Sequence, residues 1–219
     1  MIIGNTNKLP YFLFTLYLMV FAALAVAPHD RSIWWAENIP IMLIVLFLLL
    51  TYHKYQFSNA AYICMAFLIF LHTVGGHYTF ALVPFDHVTK LFGFERNHYD
   101  RITHFTVGFY AFPIAEFILN KRWVTKKLIL FSFPIFTIFA VASIYEIIEW
   151  SFAIASDPSA GLAFLGSQGD VWDAQKDMLA DGLGSVCVMA FFSMLRRREI
   201  LHFAKHTDSE TAPAHQAGR

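Results

Sequence analysis

The stretch Leu128–Trp150, LILFSFPIFTIFAVASIYEIIEW, decides the fold class. From Leu128 to Tyr145 it carries no charge. About 18 such residues make a helix long enough to cross the hydrocarbon of a bilayer. Five more apolar segments flank it. They run from Pro10 to Ala27, from Pro40 to Tyr52 with Ile33, Trp34 and Trp35 extending it upstream, and from Ala60 to Val74, where Gly75-Gly76 predicts a stop. The last two start near Asp100, ending before Lys121-Arg122, and near Asp173, ending at Arg196-Arg197-Arg198. Pro40 suits the first turn of its helix, and the Trp pair suits a membrane interface. The sequence therefore predicts an all-α, polytopic membrane helix bundle of six transmembrane helices. Residues 1–201 are expected to form one transmembrane domain. The polar stretch 202–219 is expected to be a disordered cytoplasmic tail.

Composition supports the same class. Of 219 residues, 57% are hydrophobic and 15% charged, against about 45–50% and about 25% for a soluble domain. That excludes a soluble enzyme, a nucleic-acid binder and a disulfide-built secreted domain. Cys64 and Cys187 lie in apolar runs and read as small hydrophobes. Ala25-Val26-Ala27 has the form of a signal-peptidase box, but Pro28 follows it and the apolar run is long for a cleaved leader, so a retained first helix is expected.

Net charge is zero, with 16 basic and 16 acidic residues, so their placement carries the information. With the N-terminus in the cytoplasm, eleven basic residues fall on that side: Lys8, Lys54, Lys121, Arg122, Lys126, Lys127, Arg196, Arg197, Arg198, Lys205 and Arg219. Five fall on the other: Arg31, Lys90, Arg96, Arg101 and Lys176. The positive-inside rule then puts both termini in the cytoplasm.

In this topology, acidic residues and a histidine collect near the outer end of helices four to six. Asp100 and His104 share one face of the fourth helix at i and i+4. Glu146 and Glu149 close the fifth helix. Asp173, Asp177 and Asp181 step by four down the start of the sixth. A charge at bilayer depth costs about 2.5–3.5 kcal/mol on insertion scales, so such residues are expected to face inward, pair, or hold a cation. Crowded carboxylates also cannot all ionise without compensation, for which Arg101 and Lys176 are the nearest candidates. Asp100, His104, Glu146, Glu149, Asp177 and Asp181 form the candidate site, with His104, Glu146 and Asp177 as candidate ligands to a divalent Mg²⁺, Mn²⁺ or Zn²⁺.

His77, Asp86 and His98 come from the same side, and the Gly- and Ser-rich loop 157–169 is placed to fold over the site. His29, His53, His72, His87, His202, His206 and His215 read as interfacial or tail residues. Glu116, about 18 Å beyond His104 along a helix, is expected to pair with a base of the 121–127 loop. Phe131, Phe133, Phe136 and Phe139 read as lipid-facing or core, and Gly182, Gly184 and Ser185 as a close helix crossing.

Several of these motifs resemble the YjdF-like family of bacterial inner-membrane proteins. They are Gly75-Gly76-His77-Tyr78-Thr79, Arg96-Asn97-His98-Tyr99-Asp100-Arg101 with His104-Phe105, Tyr145-Glu146-Ile147-Ile148-Glu149-Trp150, and Gly169-Asp170-Val171-Trp172-Asp173-Ala174-Gln175-Lys176-Asp177-Met178. The resemblance implies an inner-membrane location and this architecture, and it implies no reaction. A looser similarity links Asp100-Arg101, His104-Phe105, Glu146 and Asp177 to the VanZ-like membrane proteins. Glu149 stands there for a Gln and Asp181 for an Asn, and both exchanges add acidity.

Three functions fit these residues. One is a membrane protein that binds or acts on a lipid-linked or envelope substrate at the outer face, with a divalent metal. Another is an ion- or proton-coupled transporter, although the acids gather at one end and no paired half-helices appear. The third is a scaffold whose polar network only ties helices together. The bilayer itself is the one certain partner, and no nucleic acid is expected.

Overall fold

A computed structural model describes residues 7–156, 158–165 and 167–203. The polar stretch 204–219 lies outside the described residues. The described α-helices include α1 (Lys8–Leu24), α2 (Arg31–Thr51), α3 (Asn59–Tyr78), α4 (Asp86–Phe92), α5 (Tyr99–Val107), α6 (Ala111–Asn120), α7 (Lys127–Ala155), α8 (Pro158–Leu165) and α9 (Asp173–Leu195). Residues 197–203 are helical as well, so 202–203 of the expected tail are ordered, with Phe203 packed on the main core. Among the described residues there is no strand.

Among the described residues, five spans are long and apolar enough to cross a membrane: α2, α3, the α5–α6 stretch Tyr99–Asn120, α7 and α9. The apolar α1 is shorter, at 17 residues. Local caps explain where α2 starts and α3 stops. Asp30 accepts hydrogen bonds from the Ser32 and Ile33 backbone N–H groups, so α2 begins at Arg31. Pro40 therefore sits inside α2, not in its first turn. Membrane helices tolerate interior proline because neighbouring groups re-satisfy the freed carbonyl.

α3 does not stop at Gly75-Gly76. It continues to Tyr78 and ends where Thr79 turns left-handed, at φ 61°, donating its N–H to the Gly75 carbonyl. The glycines serve packing instead, because a methyl on Gly76 would crowd Asn38 and Glu37 of α2. The fourth span is broken by a 3-10 turn, Gly108–Tyr110. Pro113 has no N–H for the Phe109 carbonyl, and the chain tightens just before it. The loop expected over 157–169 contains a helix instead. Pro158 occupies the first position of α8, where its missing N–H costs nothing.

The main core joins α6, α7 and α9 through Phe112, Ile118, Leu130, Ile138, Met189 and Phe192. A second cluster joins α1, α2 and α3 through Tyr17, Ile41, Leu68 and Ile69. α3 buries 61% of its apolar window, whereas α7 buries 22% and α2 28%. Those two helices accordingly present most of their apolar surface outward, as lipid-facing helices do. Phe133, Phe136 and Phe139 of α7 are exposed, and Phe131 packs on the main core.

Candidate functional site

The site is built by two helices that run parallel in a fixed register. Arg96, just before α5, meets Asp173, and His104 meets Asp181, each partner 77 residues further along. Asp100 stands opposite Asp177 at the same offset. Gly108 touches the Ser185 backbone one step further on. Residues four apart share a helix face, so a single register aligns the whole series. The glycines make the approach possible. A side chain on Gly108 would overlap the backbone of α9 near Ser185, and one on Gly184 would overlap the Phe105 carbonyl. Small residues let the backbones touch, which brings the polar residues above them within bonding distance.

His104 is held between two carboxyl groups. Its Nδ1 lies 3.3 Å from both oxygens of Asp181, and its Nε2 is 3.7 Å from Asp100 Oδ1. Asp181 is fully buried. An imidazole that donates from Nδ1 to a carboxylate keeps Nε2 as its free lone pair, the arrangement common for metal-binding histidines. One donor atom from each of Asp100, His104 and Asp177 lies within 4.8 Å of the others. Glu146 is not in that set. Its Oε1 is buried and has no hydrogen-bond partner among the described residues.

The arginines sit at the rim. Arg96 donates to Asp173 at 2.7 Å, and Arg101 donates to the same carboxylate. Arg101 Nε is also 3.0 Å from Asp177 Oδ1, yet its N–H is not aimed at that oxygen, which accepts no hydrogen bond from the described residues. Lys176 reaches Asp170 rather than the cluster, at 2.7 Å. That hydrogen bond, with one from the Trp172 N–H, holds the Asp170 carboxyl below its ordinary range. His77 Nδ1 instead pairs with the Leu24 carbonyl at 2.7 Å, tying α3 to the end of α1. His98 stacks edge-on against Phe94, and burial with the nearby arginines pushes its pKa down.

A second polar group faces the first across a cavity, and the sequence reading missed it. Tyr145 donates to Glu37 Oε2 at 3.1 Å, and His72 Nε2 is 3.4 Å from the Tyr145 oxygen and 3.6 Å from Glu37. His72, expected at an interface, is in fact buried. The signal was present: Glu37 is the one charged residue between Ser32 and His53, and such residues in membrane helices usually face inward. The cavity measures about 330 Å³. Glu37, His72, Asp100, His104, Tyr145 and Glu149 line one end of it, and Ile44, Leu68, Val107 and Val141 the other. Phe164 and Leu165 of α8 form part of its wall, so the segment expected to cover the site does reach it.

Glu116 lies at the far end of the bundle. It pairs not with the 121–127 loop but with Arg196 at 2.6 Å, and it accepts from the Ser58 N–H at 2.8 Å. The reason is geometric: α6 packs against α9 and α3, so the buried Glu116 carboxylate faces their ends.

Comparison with known proteins agrees with this architecture. Residues 9–198 match the family model described as "Predicted membrane protein (DUF2238)". The inner membrane protein YjdF of Escherichia coli (strain K12) is 33% identical over 208 residues, which cover 92% of this chain and 94% of that protein. No solved structure matches. The match across almost all of the helical region places the chain in the DUF2238 family of membrane proteins.

Proposed function

We propose that this is a six-span protein of the bacterial inner membrane with both termini in the cytoplasm. In this reading α1 is the sixth span, since about 17 residues is the lower limit for crossing. The polar end of the bundle then faces the periplasm. There, Asp100, His104 and Asp177 hold a divalent cation, with Glu146, Glu149 and Asp181 as supporting groups. The site binds or acts on a lipid-linked or envelope substrate.

One observation carries the reading. Three potential ligand atoms converge within 4.8 Å, and one of the contributing residues, Asp177, keeps an oxygen that accepts no hydrogen bond from the described residues. Arg101 Nε stands 3.0 Å from that oxygen without a hydrogen bond to it, and a divalent cation would give the oxygen a directed partner. Mg²⁺ and Mn²⁺ suit two carboxylates, and the imidazole admits Zn²⁺. Transport has less support. The cavity ends at Ile44 and Val107, and Glu116, the acid at the opposite end, is already engaged by Arg196 and Ser58.

The test is thermal unfolding of purified, EDTA-stripped protein with each ion in turn. An ion that binds only the folded state at about 100 times its Kd adds roughly 2.7 kcal/mol. Asp100→Asn and Asp177→Asn should fold but lose that increment. If no ion stabilises the unaltered protein, the carboxyl groups serve only to tie the helices together.

A further inference from the structure

The cavity has properties that the cation site does not require. Its polar lining comes from both walls: Glu37 on α2, Asp100 on α5 and Glu149 on α7. Among the described residues no Lys or Arg lines it. The two arginines at this end are drawn to the rim by Asp170 and Asp173. His72, more than nine-tenths buried, lines the same space with an Nδ1 that has no hydrogen-bond partner among the described residues.

The apolar half has an opening. Leu43 and Val141 line the cavity yet are 60% and 50% exposed. They sit on α2 and α7, which are the two least buried of the crossing helices and are not a packed pair. The Tyr145–Glu37 hydrogen bond bridges them at the polar end. From Glu37 to Ile44, and from Asp100 to Val107, the lining descends about 10 Å at 1.5 Å per residue. On both helices the order is acid first, then aliphatic.

We propose that this cavity admits a single-tailed amphiphile with an amine or ammonium head, entering sideways from the bilayer between α2 and α7. The head lies between Glu37 and Glu149, leaving Asp100 to the cation, and the tail leaves past Leu43 and Val141. Facing carboxyl groups, with no Lys or Arg among the described lining residues, favour a cationic head and disfavour a phosphate. The volume, near the lower end of the range for ligand pockets, suits one chain rather than two. The proposal deepens the reading above by naming the chemistry of the substrate, and it rests on that reading for treating the cavity as the substrate site.

The experiment uses the purified full chain in nanodiscs with a diazirine-bearing dodecylamine. Photolabelling should map to the α2 and α7 segments around Leu43 and Val141. Unlabelled dodecylamine should compete, with dodecyl phosphate and dodecanol at least about ten-fold weaker. Glu37→Gln keeps the shape and the Tyr145 partner, and should weaken amine binding by about ten-fold. Leu43→Trp, at a lipid-exposed position, should block labelling whatever the head. Dodecyl phosphate competing as well as the amine, or labelling that ignores Leu43→Trp, overturns the proposal. Amine binding is measured in EDTA, and divalent stabilisation without amphiphile. Glu37 stands outside the Asp100–His104–Asp177 set, so either result can fail while the other holds.

Discussion

His104 Nδ1 is equidistant, at 3.3 Å, from the two carboxylate oxygens of Asp181, a residue with no exposed surface. Asp100, on the same helix as His104, faces the other ring nitrogen at 3.7 Å, so the Nδ1–Asp181 pair is the one that ties α5 to α9. Removing the histidine strands a buried carboxyl group. His104→Ala should destabilise the protein by about 3–5 kcal/mol, the usual cost of breaking a buried pair. Asp181→Asn, which retains the hydrogen bond, should cost far less. Thermal unfolding in detergent measures both, and equal losses would refute this account of the pair.

The register beneath that pair depends on glycine. Gly184→Leu forces α9 away from the Phe105 carbonyl and should cost at least about 1–3 kcal/mol, the range for overpacking. It should also lower divalent stabilisation, although residue 184 offers no ligand atom. Gly93→Ala is the contrasting case, since nothing lies within 4 Å of its added methyl. Its positive φ of 65° leaves only local strain, so the site should be untouched.

At the opposite end, Glu116 is fully buried and joins three elements through Arg196 and Ser58. Glu116→Ala leaves the Arg196 guanidinium with the exposed Glu199 alone. A loss of about 3 kcal/mol is expected, with no change in ion or amphiphile binding. Reduced binding at an unchanged folded fraction would show that the two ends are coupled.

Orientation is tested by single cysteines. One in the loop 121–126 should react only with reagent on the cytoplasmic side, and one at Val171 only from outside. The basic residues, eleven against five, motivate the assignment. The reverse pattern would move the site to the cytoplasmic face and remove the envelope substrate from consideration.

The pH dependence at the rim has a definite sign. Lys176 and the Trp172 N–H lower the folded-state pKa of Asp170 below its ordinary value of 3.8. Stability from this carboxylate is therefore present above that ordinary value and is lost as pH falls through the lower folded one. Lys176→Met should raise the Asp170 titration toward 3.8, read from its side-chain carboxyl carbon by NMR. Lys176 is half exposed, so global stability should barely change. An unmoved titration would mean that Lys176 does not hold the carboxylate.

Much of this was legible in the chain because hydrocarbon imposes simple rules. Uncharged runs marked the spans, and the i, i+4 spacing of Asp100 with His104 and of Asp177 with Asp181 showed that each pair shares a face. Tertiary register was not legible. Nothing in the spacing within one helix indicates that Asp100 meets Asp177, or that Glu146 stays outside the set. Gly75-Gly76 read as a stop because glycine ends helices in water, whereas here it allows α2 to pack against α3. Glu37 and His72 were isolated in their runs, and their shared cavity depends on how α2, α3 and α7 are arranged.

The offset of 77 residues between α5 and α9 also bears on biogenesis. A ribosome making this chain releases Asp100 and His104 toward the membrane long before their partners exist. Until α9 follows, that polar half-helix can pack on α3, but Asp100 and His104 lack their α9 partners and must be sheltered by water, lipid headgroups or the insertion machinery. Chains halted after α7 should therefore be poorly retained in the bilayer at α5 and preferred targets of membrane proteases. The helix that completes the site is also the one that ends this vulnerable interval.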